Sequence, residues 1–412
     1  MKHVLLATTG ESPQVVTETL FALHQEHQPW PDALYLITTS RGQSKAREGL
    51  LERGHLARLC DELGVKQPLF DNSHILVVPD ANGVPVDDAR SLEDHEALAN
   101  FIMTQVRNLT ADPQQSVHAS LAGGRKTMTF YLGYAMSLLG RQQDRLSHVL
   151  VSKGYESLAD FWYPSQQQGQ LHDRQGAPLL TAEGKPLIAS AATVTLAPIP
   201  FVRHRQSLPA ILPQTGESVH FRDVVRLINL GEQPEALRLQ IDLAQQLITV
   251  SDEESDQRFE FKPSLIGLAF YAMMARATCA EESDLTRPSK KRADTALLKV
   301  FLDELMPLCG LQSCADWQTG LKQLLDWSEL KGQVKDNTID ALNGGIPDYW
   351  FDQRKSELRK LFEQKLPLTV SRWLSPEIIW AEDGALLEQP GSTKGGGYGI
   401  PLARKNIEII NC

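Results

Sequence analysis

The first 165 residues alternate between short, continuously apolar runs and longer stretches in which apolar residues recur every three or four positions. The continuous runs predict buried strands, and the periodic stretches between them predict amphipathic helices. Strands that are apolar throughout are typical of parallel sheets with helices on both faces. The predicted strands are 3–9, 33–40, 74–80, 116–122 and 148–152, and the predicted helices are 12–27, 43–64, 91–110 and 125–140.

Residues at the predicted helix ends support these boundaries. Ser12 is expected to cap the first helix, with Pro13 at its first helical position. Ser91 and Asp94 are expected in the first turn of the third helix, and Gly64 at the end of the second. We therefore predict an α/β, Rossmann-like domain with a parallel sheet.

The rest of the chain changes in character twice. Residues 166–205 are rich in Gln, Gly and Pro, so we interpret them as an extension or linker between domain 1–165 and domain 206–412. In the second domain, the pattern predicts a strand pair at 237–250, a strand entering an apolar helix at 258–278, and a terminal hairpin. Strands, then helices, then a hairpin are the order of an α+β winged helix. The further predicted helices are 293–308, 315–329 and 348–365.

Size and composition fit a multidomain globular protein. The chain has 412 residues, 42% apolar and 22% charged, which is enough for two or three domains with their own cores. A net charge of −10 argues against a broad basic surface, but a local basic pocket remains compatible with it. No segment approaches the ~20 apolar residues of a membrane span. The five cysteines are scattered, as is typical of reduced thiols, so we expect a cytoplasmic protein without membrane association.

Three predicted strand ends carry residues suited to ligand binding. In a doubly wound sheet, ligands bind at the carboxyl ends of the strands, beside the point where the strand order reverses. We expect the turns after the first, second and fourth strands to converge there. They consist of Thr8, Thr9, Gly10, Glu11 and Ser12; of Thr38, Thr39, Ser40, Arg41 and Gly42; and of Gly123, Gly124, Arg125, Lys126 and Thr127.

The fourth turn, within SLAGGRKTM (120–128), is the strongest candidate. A helix opens directly after it, so free N–H groups and two cations face the same edge. Arg125 offers a planar fork and Lys126 a point charge, two common ways to hold phosphate. The alternative is an ordinary tight turn with solvated cations. The stretch is not a Walker A loop, and TTGESPQ lacks the glycine pattern of a dinucleotide fingerprint.

GGRK after the fourth strand and TTGESPQ after the first strand together resemble the CARF domain, the CRISPR-associated Rossmann fold. SLLGRQQDRLSHVLVS (137–152), the following DFWYP and IPFVRHR (199–205) are similar as well. The resemblance is to ring nucleases of type III CRISPR systems, of the Csm type, and covers about residues 1–205.

This resemblance implies a homodimer that binds a cyclic oligoadenylate, with cyclic tetra-adenylate as the first candidate. Ring nucleases open the ring without metal or cofactor: a ribose 2′-OH attacks its own phosphate and leaves a 2′,3′-cyclic phosphate. Such a reaction needs in-line positioning and cations near the phosphorane. The resemblance assigns catalysis to Arg125, Lys126 and Ser12. It assigns ligand contacts to Thr8, Thr9, Gly10, Glu11, Thr39, Ser40, Gly123, Gly124, Thr127 and Lys153.

Two other functions stay open for this chain. One is a transcriptional regulator in which the winged helix binds DNA through its cations, although interspersed acids favour a dimerisation or scaffold role. The basic candidates are Arg354, Lys355, Arg359, Lys360, Lys365, Lys394, Arg404 and the stretch RPSKKR (287–292).

The second open function is a ligand-activated nuclease whose motif is not visible. An R-x(4–6)-H spacing of the kind found in HEPN ribonucleases runs from Arg141 to His148, inside the first domain, and we interpret it as accidental. No H-x-H or H-E-x-x-H arrangement predicts a metal site. His118 and His148 lie on predicted strands and are expected to be structural.

Overall fold

A computed structural model describes residues 1–156, 158–209, 220–253, 258–331 and 339–411. These residues form two units. The first contains residues 1–206 and 220–224, and the second contains 207–209 and the described residues from 225 onward. The division falls inside the helix Phe221–Asn229 (α6).

The first unit is built around a six-stranded sheet. Its strands are Lys2–Thr8 (β1), Ala33–Thr38 (β2), Ile75–Val77 (β3), Gln115–Ser120 (β4), Arg145–Val151 (β5) and Val194–Pro198 (β6). They lie in the order β3-β2-β1-β4-β5-β6. The first five run parallel, and β6 is antiparallel to β5. The strand order reverses at β1, as the Rossmann-like prediction requires.

Helices connect the parallel strands. They are Gln14–Gln25 (α1), Ser40–Ala46 (α2), His55–Leu63 (α3), Leu92–Leu109 (α4) and Lys126–Leu139 (α5), with a π-helix, Arg47–Glu52, between α2 and α3. Both faces of β1 are covered, since Val4, Leu5, Leu6 and Ala7 are each at most 1% exposed. Each fully buried leucine of this kind stabilises the fold by about 1.5–3 kcal/mol.

The predicted start of the first helix is wrong. α1 begins at Gln14, and Pro13 occupies the N-cap position without a side-chain hydrogen bond. Ser12 is exposed, and its backbone carbonyl accepts a hydrogen bond from Thr9 Oγ1 at 3.0 Å. Ser12 is therefore part of the turn after β1 and not the helix cap.

The predicted single helix 43–64 is also wrong. The helix starts earlier, because Thr39 takes the N-cap position of α2, and β2 ends at Thr38 instead of residue 40. The chain leaves the π-helix at Gly54, whose φ of +71° interrupts the helix before α3 begins. Gly64 ends α3 with a φ of +67°, as predicted.

Residues 166–205 extend the first unit. β6 adds a sixth strand at the edge of the sheet, and two antiparallel bridges, His172 with Pro178 and Leu180 with Pro186, close two short hairpin-like turns. Two arginines of the stretch IPFVRHR (199–205) donate hydrogen bonds to carbonyl groups at and just after the end of α5. Arg203 donates to Arg141 O at 2.9 Å, and Arg205 donates to Leu139 O at 2.5 Å.

The second unit has a four-stranded sheet and a largely helical core. Its sheet strands are Leu237–Asp242 (β7), Leu247–Asp252 (β8), Arg258–Phe261 (β9) and Ile407–Ile410 (β12), and a separate pair is Glu377–Ile378 (β10) with Tyr398–Gly399 (β11). Its helices after α6 include Leu265–Ala280 (α7), Thr295–Leu308 (α8), Trp317–Lys331 (α9), Asp348–Glu363 (α10) and Leu368–Leu374 (α11). The predicted strand pair at 237–250 and the apolar helix after 258 are confirmed.

The predicted terminal hairpin is only partly correct. β10 and β11 pair antiparallel, but β12 leaves them and pairs parallel with β7, with Ile407 opposite Leu239. A local alternation cannot show this partner, because the two strands are far apart in sequence. The sheet order is β12-β7-β8-β9. The winged-helix interpretation of this unit stays a prediction.

Candidate anion-binding site

The turns after β1 and β4 are joined by a side-chain hydrogen bond. Thr8 is fully buried, and its Oγ1 donates to Gly123 O at 2.7 Å. A Cβ on Gly123 would lie 2.9 Å from Thr8 O and 2.7 Å from Val15 Cγ2. Only glycine therefore lets the two turns lie this close together. A Cβ on Gly10 would lie 3.8 Å from Gly124 Cα, which places these two glycines side by side.

The turns after β1 and β2 are in equally close contact. Thr38 Oγ1 donates to Thr9 O at 2.7 Å, and Thr9 N donates to Ile37 O at 3.0 Å. A Cβ on Gly42 would lie 2.7 Å from Gly10 O. The structure thus brings the three turns together at one edge of the sheet.

The fourth turn presents its cations to solvent. Gly124 has a φ of +93°, and Arg125 follows at the N-cap of the 14-residue helix α5. The N-cap residue Arg125 makes no side-chain cap hydrogen bond, so the first-turn amides and the positive dipole end face the turn. Arg125 and Lys126 are both exposed, and within the described part of the chain the ammonium group of Lys126 makes no hydrogen bond or ion pair, while its carbonyl accepts from Thr129 Oγ1 at 2.9 Å. Thr127 Oγ1 is buried without a hydrogen-bond partner among those same residues.

Asp88, in the segment between β3 and α4, contacts Arg125 and was missed by sequence reasoning. Asp88 Oδ1 accepts from Arg125 Nε at 2.6 Å, and Asp88 Oδ2 accepts from Arg90 Nε at 2.7 Å. These two arginines, Arg125 first, hold the pKa of Asp88 below its usual range. The signal was present, because Asp87 and Asp88 precede a predicted helix at the same edge of the sheet. The site therefore holds a carboxylate beside its cations.

The segment 79–90, which contains Asp88, also contacts the second turn. Ser40 N donates to Val86 O at 3.0 Å, and Ser40 Oγ donates to Asp87 Oδ1 at 3.2 Å. Arg41 Nε donates to Asp87 Oδ2 at 2.8 Å. A pocket of about 340 Å³ opens here. It is lined by Arg41, Asp80, Val84, Pro85, Val86, Asp87, Asp88, Arg90 and Asp94.

The remaining candidates occupy different positions around the edge. Ser12 and Glu11 are exposed in the first turn. Thr39 is buried, and its Oγ1 accepts a hydrogen bond from Gly42 N at 3.5 Å, so this hydroxyl caps the start of α2. Lys153 is exposed beyond β5, and among the described residues it has no polar contact with the fourth turn. The structure brings the first and fourth turns together but does not join Lys153 to them.

The two strand histidines make internal contacts. His118 Nε2 lies 2.7 Å from Ser147 Oγ, and burial lowers the pKa of His118 to about 4. His148 Nδ1 lies 3.3 Å from Leu121 O. Arg141 pairs with the fully buried Asp144 at 2.9 Å. Across the ranges that the structure covers, no group of three or more His, Cys, Asp or Glu side chains is arranged to hold a metal ion.

Two cations of α10, Arg354 and Lys355, pack against their own unit. Arg354 is 7% exposed and donates to Glu357 at 2.8 Å, so its assignment as a surface phosphate contact is wrong. Lys355 Nζ lies 4.4 Å from the centroid of the Tyr398 ring and 3.6 Å from Glu377 Oε1. Burial lowers the pKa of Lys355.

Other basic candidates of the second unit have acidic or carbonyl partners. Arg359 Nε donates to Glu363 at 2.7 Å, Arg404 lies 3.9 Å from Glu281, and Lys365 donates to Glu260 O at 3.0 Å. Arg287, from RPSKKR, pairs with Asp348 and Asp352. Lys360 and Lys394 are exposed.

Comparison with known proteins places the chain in a family. A family model described as CRISPR-associated protein NE0113 matches residues 12–229, which is more than half of the chain. The chain belongs to this family. No curated protein matches the sequence. Among the described helices, none combines the length and apolar character that crossing a membrane requires.

Proposed function

We propose that this CRISPR-associated chain binds a cyclic oligoadenylate, with cyclic tetra-adenylate as the first candidate, at the edge formed by its first, second and fourth turns. The observation that carries this proposal is the exposure of Arg125 and Lys126 at the uncapped start of α5. Two points support the choice of ligand: the chain belongs to a CRISPR-associated family, and the stretches GGRK and TTGESPQ resemble those of CARF domains.

A phosphodiester suits the chemistry of this turn. The first amides of α5 and the helix dipole favour a negative charge at this point. Lys126 adds a charge with no internal partner among the described residues, and Arg125 adds a planar donor. Gly124, at a φ of +93°, lets the backbone approach closely. Ser12, which is exposed, supplies a hydroxyl group for the ribose or the phosphate. Thr9 is fully buried and its hydroxyl donates to Ser12 O, so Thr9 shapes the turn without contacting the ligand.

The ring is proposed to lie across two copies of the chain. A cyclic tetra-adenylate has two-fold symmetry, so a homodimer with paired edges would offer each half of the ring the same turn. Each copy then needs only one set of Arg125 and Lys126. The same arrangement makes binding and dimerisation mutually supportive, because a ligand that bridges two chains stabilises their association.

We further propose that the chain cleaves the bound ring. The 2′-oxygen of one ribose attacks the adjacent phosphorus, the bond from phosphorus to the 5′-oxygen breaks, and a 2′,3′-cyclic phosphate remains. The 2′-OH gives up a proton, and the departing 5′-oxygen gains one. Arg125 and Lys126 would stabilise the charge of the phosphorane, and Ser12 would help to align the ribose. Opening the ring would end type III CRISPR signalling, because the intact ring is the messenger.

For the second unit we propose a scaffold or dimerisation role on a winged-helix-like framework, in preference to DNA binding. The contacts that favour this choice are those of α10, where Arg354 is buried and Lys355 lies over Tyr398. A cation held in this way has little freedom to neutralise a phosphate. A ligand-dependent shift of operator DNA by the full-length protein would reverse this preference.

The proposed activity is tested by incubating the full-length protein with cyclic tri-, tetra- and hexa-adenylate in EDTA and resolving the products by mass. Linear products that end in a 2′,3′-cyclic phosphate are expected, with the tetramer cut fastest. Rings that bind but stay intact would make the protein a sensor. Rings that neither bind nor react would overturn the proposal.

A further inference from the structure

Asp88 holds one edge of the Arg125 guanidinium. Its Oδ1 accepts from Arg125 Nε at 2.6 Å and also pairs with Nη2. Within the described part of the chain, Nη1 of Arg125 makes no hydrogen bond. The Arg125 side chain is 45% exposed while that of Asp88 is 18% exposed, so the carboxylate is the more enclosed partner of this pair.

The segment that carries Asp88 is fixed at several points. Val86 O accepts from Ser40 N at 3.0 Å, and Val86 N donates to Val78 O at 2.9 Å, so backbone hydrogen bonds attach the segment to the second turn and to the residue after β3. Pro79 and Pro85 form a bridge, and Asp80 Oδ1 accepts from Asn82 N and Val84 N at 2.8 Å each. Asp88 is therefore held by the fold, and Arg125 is oriented against it.

From this geometry we infer that Asp88 is a positioning residue that holds Arg125 by its Nε–Nη2 edge and presents Nη1 to the phosphate of the ligand. Asp88 does not touch the ligand itself. Arg90, on the other oxygen of Asp88, keeps the carboxylate in place. This inference rests on the proposed function for the identity of the ligand, but not for the contact between Asp88 and Arg125.

A positioning role and a purely electrostatic role of Asp88 predict opposite effects on anion binding when its charge is removed. If Asp88 acted only through its charge, removing that charge would strengthen the binding of an anion nearby. If Asp88 positions Arg125, losing the Asp88 carboxylate lets the long Arg125 side chain move, so Arg125 is less often oriented towards the phosphate. Asp87 is the matched control, because it is the adjacent carboxylate, pairs with Arg41 and loses the same charge in the equivalent substitution.

The first experiment compares full-length wild type with Asp88→Asn, Asp87→Asn and Asp88→Glu in the opening of cyclic tetra-adenylate in EDTA, with kcat and KM determined separately. Asp88→Asn is expected to lower kcat/KM by roughly tenfold to a hundredfold. Asp87→Asn should stay within about twofold of wild type, since exposed charge pairs contribute little. Asp88→Glu should recover part of the loss. Equal or better activity of Asp88→Asn relative to Asp87→Asn would overturn the inference.

A second readout needs no turnover. The Nε–H resonance of Arg125 in a ¹⁵N-labelled full-length sample, identified by its loss in Arg125→Lys, should exchange slowly with water in wild type and Asp87→Asn. It should broaden or move in Asp88→Asn. If wild type opens no ring but this resonance responds as expected, the proposed function fails and the positioning role stands. An identical Arg125 resonance in wild type and Asp88→Asn would overturn the positioning role alone.

Discussion

The hydroxyl of Thr8 donates to the carbonyl of Gly123 at 2.7 Å, across 115 residues of sequence. This bond ties the end of β1 to the turn that carries Arg125 and Lys126. Because both groups lie where the strand order reverses, the bond fixes the distance between two of the three turns that form the candidate site.

Thr8→Val should destabilise the protein and loosen this junction. Valine keeps the shape of threonine but cannot donate, so Gly123 O loses its partner and the free energy of unfolding should fall by about 1–2 kcal/mol. Chemical denaturation of the full-length chain measures the change. A variant as stable as wild type would show that Gly123 O is satisfied in another way.

Gly123→Ala should be more damaging than an alanine at another glycine of the same region. The new methyl group would meet backbone atom Thr8 O at 2.9 Å, and relieving the overlap should cost about 1–3 kcal/mol. The matched control is Gly133→Ala inside α5, where the nearest atom, Leu121 Cδ1, lies at 3.5 Å. There the better helix propensity of alanine should stabilise the protein by up to about 1 kcal/mol. Thermal unfolding of both variants checks the contrast, and equal effects would contradict the close approach at Gly123.

Asp144→Asn should be among the most destabilising single changes in the first unit. Asp144 is fully buried, pairs with Arg141 and accepts from Val117 N at 2.8 Å. Removing its charge leaves a nearly buried guanidinium unpaired, which typically costs about 3–5 kcal/mol. The exposed pair of Arg47 and Glu52, 3.2 Å apart, provides the comparison, and Glu52→Gln should change stability by less than about 1 kcal/mol. Urea denaturation of the two variants decides the point.

Glu18 should make the protein less stable as the pH rises from about 4.5 to 7. Burial, followed by repulsion from Glu156, raises the pKa of Glu18 from 4.5 to about 7 in the folded state. The unfolded chain therefore releases this proton at lower pH than the folded chain, and the folded state loses roughly 3 kcal/mol relative to a permanently neutral group. Glu18→Gln should gain stability over wild type as the pH increases through this window. A difference between the two proteins that does not vary from pH 4 to 8 would contradict the assignment.

The sequence was informative where one local signal decides the structure. The continuous apolar run that contains Val4 and Leu5 was predicted to be a buried strand, and it is β1. Ser91 and Asp94 were predicted at the start of a helix, and they form a capping box at the start of α4. The convergence of the first and fourth turns followed from the order of strands in doubly wound sheets. These features depend on neighbouring residues or on topology rules, and both can be read from one sequence.

Other features depend on partners that lie far away in the chain. Asp88 was missed because a carboxylate before a helix is usually a cap, and only the folded chain brings it to Arg125. The pairing of β12 with β7 was missed because four residues carry too little pattern to specify a distant parallel partner. Arg354 was misjudged because a mixed-charge helix does not reveal from its sequence which cation is buried.

The most direct test of the central claim is a calorimetric titration with cyclic tetra-adenylate in which fluorine replaces the 2′-hydroxyls, so that no ring can be opened. Wild type should bind one ring per two chains, and Arg125→Ala and Lys126→Ala should each show no measurable binding. Arg47→Ala, which removes one exposed positive charge from the π-helix, should bind like wild type. Undiminished binding by both Arg125→Ala and Lys126→Ala would show that the ring does not lie at the start of α5.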